Sequence, residues 1–179
     1  MSKKVVILSA SPRKGGNSDI LCDAFLRGAE SIGAEAEKIF LKEKKIEYCC
    51  ACETCYTNGG VCVYKDDMAE ILEKMLQADV IVMASPVYFY TINAQMKTLI
   101  DRCVSHYEEM TGKDFYLFVT AADEYEEALE RSIDCFRGFL DCLDDAKEKG
   151  VILGAGLNHK GDAKGSIYEE KAYEMGKNI

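Results

Sequence analysis

The chain has 179 residues, 48% of them hydrophobic, enough to bury roughly two-thirds of its unfolded surface without disulfide staples despite nine cysteines. Its 22 basic and 31 acidic side chains leave a net charge of −9, which argues against nucleic acid or an anionic membrane surface as partner. An odd cysteine count, no signal segment in MSKKVVILSA and no apolar run near the roughly 20 residues of a membrane span set the expectation of a reducing, cytoplasmic location.

The first apolar run, 5–8, reads as a buried strand, and the spacing of Ile20, Leu21, Ala24, Phe25, Gly28 and Ile32 predicts a helix with one apolar stripe. A weaker strand is expected over 35–41, followed by a long irregular stretch, 42–65, and a helix carrying Met68, Ile71, Leu72, Met75 and Leu76. A strand at 80–84 precedes a helix with Met96, Leu99, Ile100, Cys103 and Tyr107. A strand at 115–119 precedes a helix spanning about 124–144, and a strand at 151–155 precedes a last helix starting near Ser166. The strand runs are continuous rather than alternating, as in parallel sheets covered on both faces. Five strands alternating with five helices predict an α/β, doubly wound, three-layer fold. The whole of 1–179 is expected to be one domain with a cysteine-rich insertion at about 42–65.

Between the first strand and its helix lies Ser9-Ala10-Ser11-Pro12-Arg13-Lys14-Gly15-Gly16-Asn17-Ser18. In an open α/β sheet a ligand binds outside the strand carboxyl ends, and a helix N-terminus offers unpaired N–H groups to an anion. Ser9, Ser11, Arg13, Asn17 and Ser18 are therefore candidate phosphate contacts, while Gly15 and Gly16 let the backbone fold closely. Neither a nucleoside-triphosphate P-loop nor a dinucleotide fingerprint is present, so one terminal phosphate fits best. The simpler reading is a polar turn in which Asn17 or Ser18 caps the helix.

The irregular stretch holds five cysteines in fourteen residues. Cys49, Cys52, Cys55 and Cys62 leave gaps of two, two and six residues, close to the compact thiolate runs that hold iron-sulfur clusters, although Val63 stands where such runs commonly have proline. Free or disulfide-forming thiols, and zinc, are the other readings. Cys22, Cys103, Cys135 and Cys142 fall in helical patterns and read as small core residues. His106 and His159 read as surface and loop residues rather than catalysts.

The third strand ends in Ser85-Pro86-Val87-Tyr88-Phe89-Tyr90-Thr91. Neighbouring side chains diverge, so three consecutive aromatics cannot all be buried on one side, and one is expected to face a ligand or a second subunit. Pro86 stiffens the turn, and the backbone amides of Val87, Tyr88, Phe89 and Tyr90 are candidates to bond the edge of a flat heteroaromatic ring; packing beneath the following helix or into a subunit interface is the alternative.

Together these residues form a resemblance. SASPRKGGNSDIL resembles the FMN phosphate loop, and SPVYFYTINAQMKTLIDR the flavin-ring loop, of the NADPH-dependent FMN reductase superfamily; CCACETCYTNGGVCVYKDDM is similar to its iron-sulfur flavoprotein branch. The three segments cover about a third of the chain. The resemblance implies a flavodoxin-like fold with a five-stranded sheet in the order 2-1-3-4-5, FMN as cofactor, NAD(P)H as electron donor, a 4Fe-4S cluster on Cys49, Cys52, Cys55 and Cys62, and a homodimer or homotetramer. It adds residues 120–123 as a further flavin-edge loop, although Asp123 reads equally as a helix N-cap. Departures are Cys50 beside Cys49, and Ala51 where glycine is common.

The function expected from these features is an FMN-dependent NAD(P)H oxidoreductase or electron-transfer flavoprotein that passes electrons to a small-molecule or protein acceptor. A flavodoxin-type carrier without enzymatic activity and a thiol-based redox sensor are the alternatives. No side-chain acid or base is expected to be catalytic. A phosphatase is disfavoured because the anion loop lacks a cysteine nucleophile.

Overall fold

The computed structural model describes residues 2–179. In chain order the strands are β1 (Lys4–Ser9), β2 (Glu35–Phe40), β3 (Val80–Tyr88), β4 (Thr91–Ile92), β5 (Asp114–Thr120) and β6 (Lys147–Gly154). The helices are α1 (Asn17–Ser31), α2 (Met68–Gln77), α3 (Ala94–Arg102), α4 (Glu130–Leu140) and α5 (Ile167–Lys177). The parallel strands lie in the order β2-β1-β3-β5-β6, and β4 folds back antiparallel on the end of β3. A two-residue strand carries no periodicity to read, so β4 was not expected, and with it counted the order replaces the expected 2-1-3-4-5.

Alternation along the strands builds two cores. Val5, Ile7, Val80, Val82 and Phe118 meet α1 and α5 on one face, whereas Val6, Leu8, Ile81, Met83 and Leu117 meet α2, α3 and α4 on the other. This is a three-layer, flavodoxin-like α/β arrangement, and it places the turns after β1, β3 and β5 at one edge. The α1–α5 approach is close: a Cβ at Gly28 would lie 2.1 Å from the Tyr173 carbonyl, and one at Gly176 would lie 2.2 Å from the Phe25 carbonyl. No described helix is long and apolar enough to cross a membrane.

Two helices are shorter than their patterns predict. α3 stops at Arg102 and continues as single 3-10 turns, Cys103–Ser105 and Tyr107–Glu109, because Arg102 turns into the cysteine stretch. α4 starts only at Glu130, after a 3-10 turn at Glu126–Ala128; like charges on Glu124, Glu126 and Glu127 disfavour helix there, and Asp123 accepts the Tyr125 N–H at 3.0 Å. Asp123 therefore shapes a turn and is not a helix N-cap. Cys22 and Cys103 are buried core thiols, but Cys135 is half-buried and Cys142, past the end of α4, is exposed.

Candidate functional site

The turn after β1 is shaped from within. The Ser11 hydroxyl donates to the Arg13 carbonyl at 2.8 Å and accepts the Arg13 N–H at 3.2 Å, which curls the chain back on itself. Gly15 adopts φ +67°, and a Cβ at Gly16 would sit 2.4 Å from the Ser11 hydroxyl, so both glycines are required by the turn. Asp19, buried in the first turn of α1, accepts the Ser9 hydroxyl and the Gly15 N–H, each at 2.9 Å. Lys38 from β2 balances that carboxylate at 2.9 Å and also pairs with Asp23. Burial alone would lower the Lys38 pKa, but its hydrogen bonds to Asp23 and Asp19 outweigh burial and raise it.

No side chain caps α1. Its N-cap is Gly16, and the first-turn N–H groups of Asn17, Ser18 and Asp19 have no partner within the helix. Buried Ser9, Ser11 and Ser18 surround this end, and Arg13 and Lys14 are exposed with no ion pair among the described residues. Asn17 looks elsewhere: its amide donates to the Leu157 and His159 carbonyls at 3.2 and 2.9 Å and accepts the Gly161 and Ala163 N–H groups at 3.1 and 3.2 Å. It thus pins the turn after β6 and lays the Lys160 side chain over Gly15, where a Cβ would be 3.7 Å from its Cε. An uncapped helix N-terminus ringed by buried hydroxyls fits a monoester phosphate such as that of FMN.

The turn after β3 is a two-residue hairpin. Tyr88 pairs with Thr91, and between them Phe89 and Tyr90 both lie in the left-handed region, at φ 51° and 62°. Such turns ordinarily use Asn-Gly, so two aromatics there store strain. Phe89 is fully exposed, Tyr88 and Tyr90 are largely so, and the Arg131 guanidinium lies 5.8 Å from the Tyr90 ring centroid. Pro86 and Val87 are half-buried at the base.

Asn93 joins the two turns, a role no local pattern announced. It caps α3 by accepting the Met96 N–H at 3.2 Å, its own N–H donates to the Ser85 hydroxyl at 3.0 Å, and its amide donates to the Ala10 carbonyl at 2.5 Å. The turn after β1 and the aromatic hairpin are thereby held side by side. The third turn, 120–123, is laced to the chain after β6 through Ala121 N–H to Gly154 and Gly156 N–H to Asp123.

In the cysteine stretch Cys49, Cys50 and Cys52 are exposed, Cys55 and Cys62 half-buried, and all five line one cavity of about 350 Å³ with Arg102. Ala51 and Glu53 stand at φ 51° and 59°, so the backbone takes a glycine-like conformation at the alanine that departs from the related motif. Hydrogen bonding to the Thr54 hydroxyl and amide holds the Cys52 thiol below its ordinary pKa. No three His, Cys, Asp or Glu side chains among the described residues converge as a single ion requires.

A family model described as NADPH-dependent FMN reductase matches residues 3–144. An iron-sulfur flavoprotein of Archaeoglobus fulgidus is 42% identical over 113 residues, covering 63% of this chain and 51% of the relative. One from Methanosarcina thermophila is 42% identical over 101 residues, covering 56% and 52%. The chain thus spans about half the length of these two relatives. The fold is also that of an NAD(P)H:quinone oxidoreductase structure from Methanothermobacter marburgensis, at TM-score 0.78 and 18% identity over 99% of this chain and 97% of that one. The turn after β1, the hairpin after β3 and every strand but β6 fall within the matched residues, and the chain belongs to the NADPH-dependent FMN reductase family.

Proposed function

We propose that the chain is an FMN-dependent NAD(P)H oxidoreductase that carries a 4Fe-4S cluster on its cysteine stretch and works as a homo-oligomer in the cytoplasm. The observation that carries the reading is the uncapped N-terminus of α1 tied through Asn93 to the aromatic hairpin. Ser18, the α1 N–H groups and Arg13, with Ser9 and Ser11 once their hydroxyls turn from Asp19 and the Arg13 carbonyl, would hold the FMN phosphate. Asn17 acts one step back, by fixing the turn that carries Lys160. Pro86, Val87, Tyr88, Phe89 and Tyr90 would lie against the ring and shield it from water. Bound FMN supplies hydride acceptance from nicotinamide and release of electrons singly or in pairs. Cys49, Cys52, Cys55 and Cys62 would ligate the cluster, which offers a one-electron outlet to an acceptor.

The test is an ultraviolet-visible spectrum of anaerobically purified protein, with iron, acid-labile sulfide and released flavin assayed together. Flavin bands, FMN freed on denaturation and iron with sulfide are expected, as is sustained NADH or NADPH oxidation with an artificial acceptor. Iron without flavin would overturn the FMN assignment. Flavin without iron would remove the cluster, and flavin without turnover would leave an electron carrier.

A further inference from the structure

The cysteine cavity has a buried cation at its neck. Arg102, the last residue of α3, has a side chain only 3% exposed, as has its partner Asp66. Its guanidinium forms a two-pronged pair with Asp66 at 2.7 and 3.1 Å, donates to the Glu47 carbonyl at 2.7 Å and donates to the Cys62 sulfur at 3.3 Å. The Tyr64 ring centroid lies 5.3 Å from the guanidinium carbon. Asp66 also accepts the Glu47 N–H at 2.8 Å, and Asp67 accepts the Lys45 N–H at 2.6 Å. Residues 45–47 and 66–67 are therefore clasped together, and the chain between them forms a closed loop with its thiols around one cavity. A buried arginine is expensive unless every donor has work, and here one prong ends on a sulfur rather than on oxygen.

We propose that Arg102 is the positioning residue of the cysteine cavity: it closes the neck of the loop and directs the Cys62 sulfur inward by an N–H···S hydrogen bond. The loop is then held ready before any iron arrives. Resting on the cluster reading above, the same bond sets the cluster's reduction potential, because a donor and a positive charge at a ligand sulfur favour the more negative reduced state. A lysine keeps the charge but cannot make the two-pronged pair and reach the sulfur together.

Arg102→Lys and Arg102→Met test this, with unchanged circular dichroism confirming the fold. In iron-free protein, hydrogen exchange of the Lys45, Glu47 and Asp67 amides, which the clasp hydrogen-bonds, should quicken at least tenfold in Arg102→Met while β1 and β3 amides stay protected. In anaerobically purified protein, Arg102→Met should hold less than half the wild-type iron and sulfide. Arg102→Lys should keep most of the iron and show a cluster potential more negative than wild type. Unchanged exchange of the Lys45, Glu47 and Asp67 amides overturns the clasp, whether or not the protein binds iron. A wild-type potential in Arg102→Lys overturns the sulfur hydrogen bond. Wild-type protein devoid of iron, with exchange quickened as expected, supports the clasp and overturns the cluster reading alone.

Discussion

Lys160 and Phe89 show how single side chains bear on the cradle and the hairpin. Lys160 is exposed, but Asn17 holds its turn so that the side chain crosses Gly15 at the proposed phosphate site. Lys160→Gln is expected to weaken FMN binding severalfold while leaving riboflavin binding unchanged, since riboflavin lacks the phosphate; fluorescence titration with both flavins measures the contrast. Equal loss for both would show that the lysine does not act on the anion. Phe89 touches solvent on all sides and sits at φ 51°, a conformation costing a bulky residue about 1 kcal/mol or more. Phe89→Asn should stabilise the fold by about 1 kcal/mol, seen as a raised midpoint in thermal melts, while loosening flavin retention, read as flavin content after dialysis. A variant that retained flavin fully would take this ring out of the site.

The segments that carry function are irregular and are held by residues outside them. The loop between β2 and α2 depends on the Arg102–Asp66 pair. Burial alone would raise the Asp66 carboxyl, but hydrogen bonds from Arg102 and from the Glu47 and Met68 N–H groups outweigh it and bring the pKa below the ordinary 3.8. A carboxyl depressed in the folded state stabilises the clasp fully above about pH 4 and ceases to do so as pH falls through its folded value. Pepsin cleavage within 48–64 should therefore rise below about pH 4 in wild type. In Asp66→Asn, already fast at pH 4, the rise should be absent. The same pH profile in both proteins would remove Asp66 as the titrating group.

At the level of the molecule, the sheet is fixed from both sides, and the α1–α5 layer is the tighter of the two. Gly28 and Gly176 each meet backbone where a Cβ would have to go. Gly176→Ala should cost about 1–3 kcal/mol by overpacking, seen as a lowered denaturant midpoint, with FMN stoichiometry unchanged in the protein that stays folded. Since α1 carries the cradle at its other end, a large loss of flavin per folded chain would show that the two ends of α1 are coupled.

The strands and helices were readable because burying apolar residues on both faces of a sheet leaves continuous runs, and burying one face of a helix leaves a stripe. The cradle, the aromatic triplet and the dense cysteines were legible as local motifs for the same reason: each depends on residues adjacent in the chain. Helix ends were less legible, as α3 and α4 show, because competition from turns and like charge is decided by a few hydrogen bonds rather than by periodicity. Distant contacts alone join Asp19 with Lys38, Asn93 with Ala10, Asn17 with Gly161 and Arg102 with Cys62. These contacts join positions 19, 83, 144 and 40 residues apart. The order of residues alone establishes which chemistry is available and where along the chain it lies. Folding decided which of those groups meet, because burial and hydrogen-bond satisfaction are settled among distant segments and leave no spacing to read.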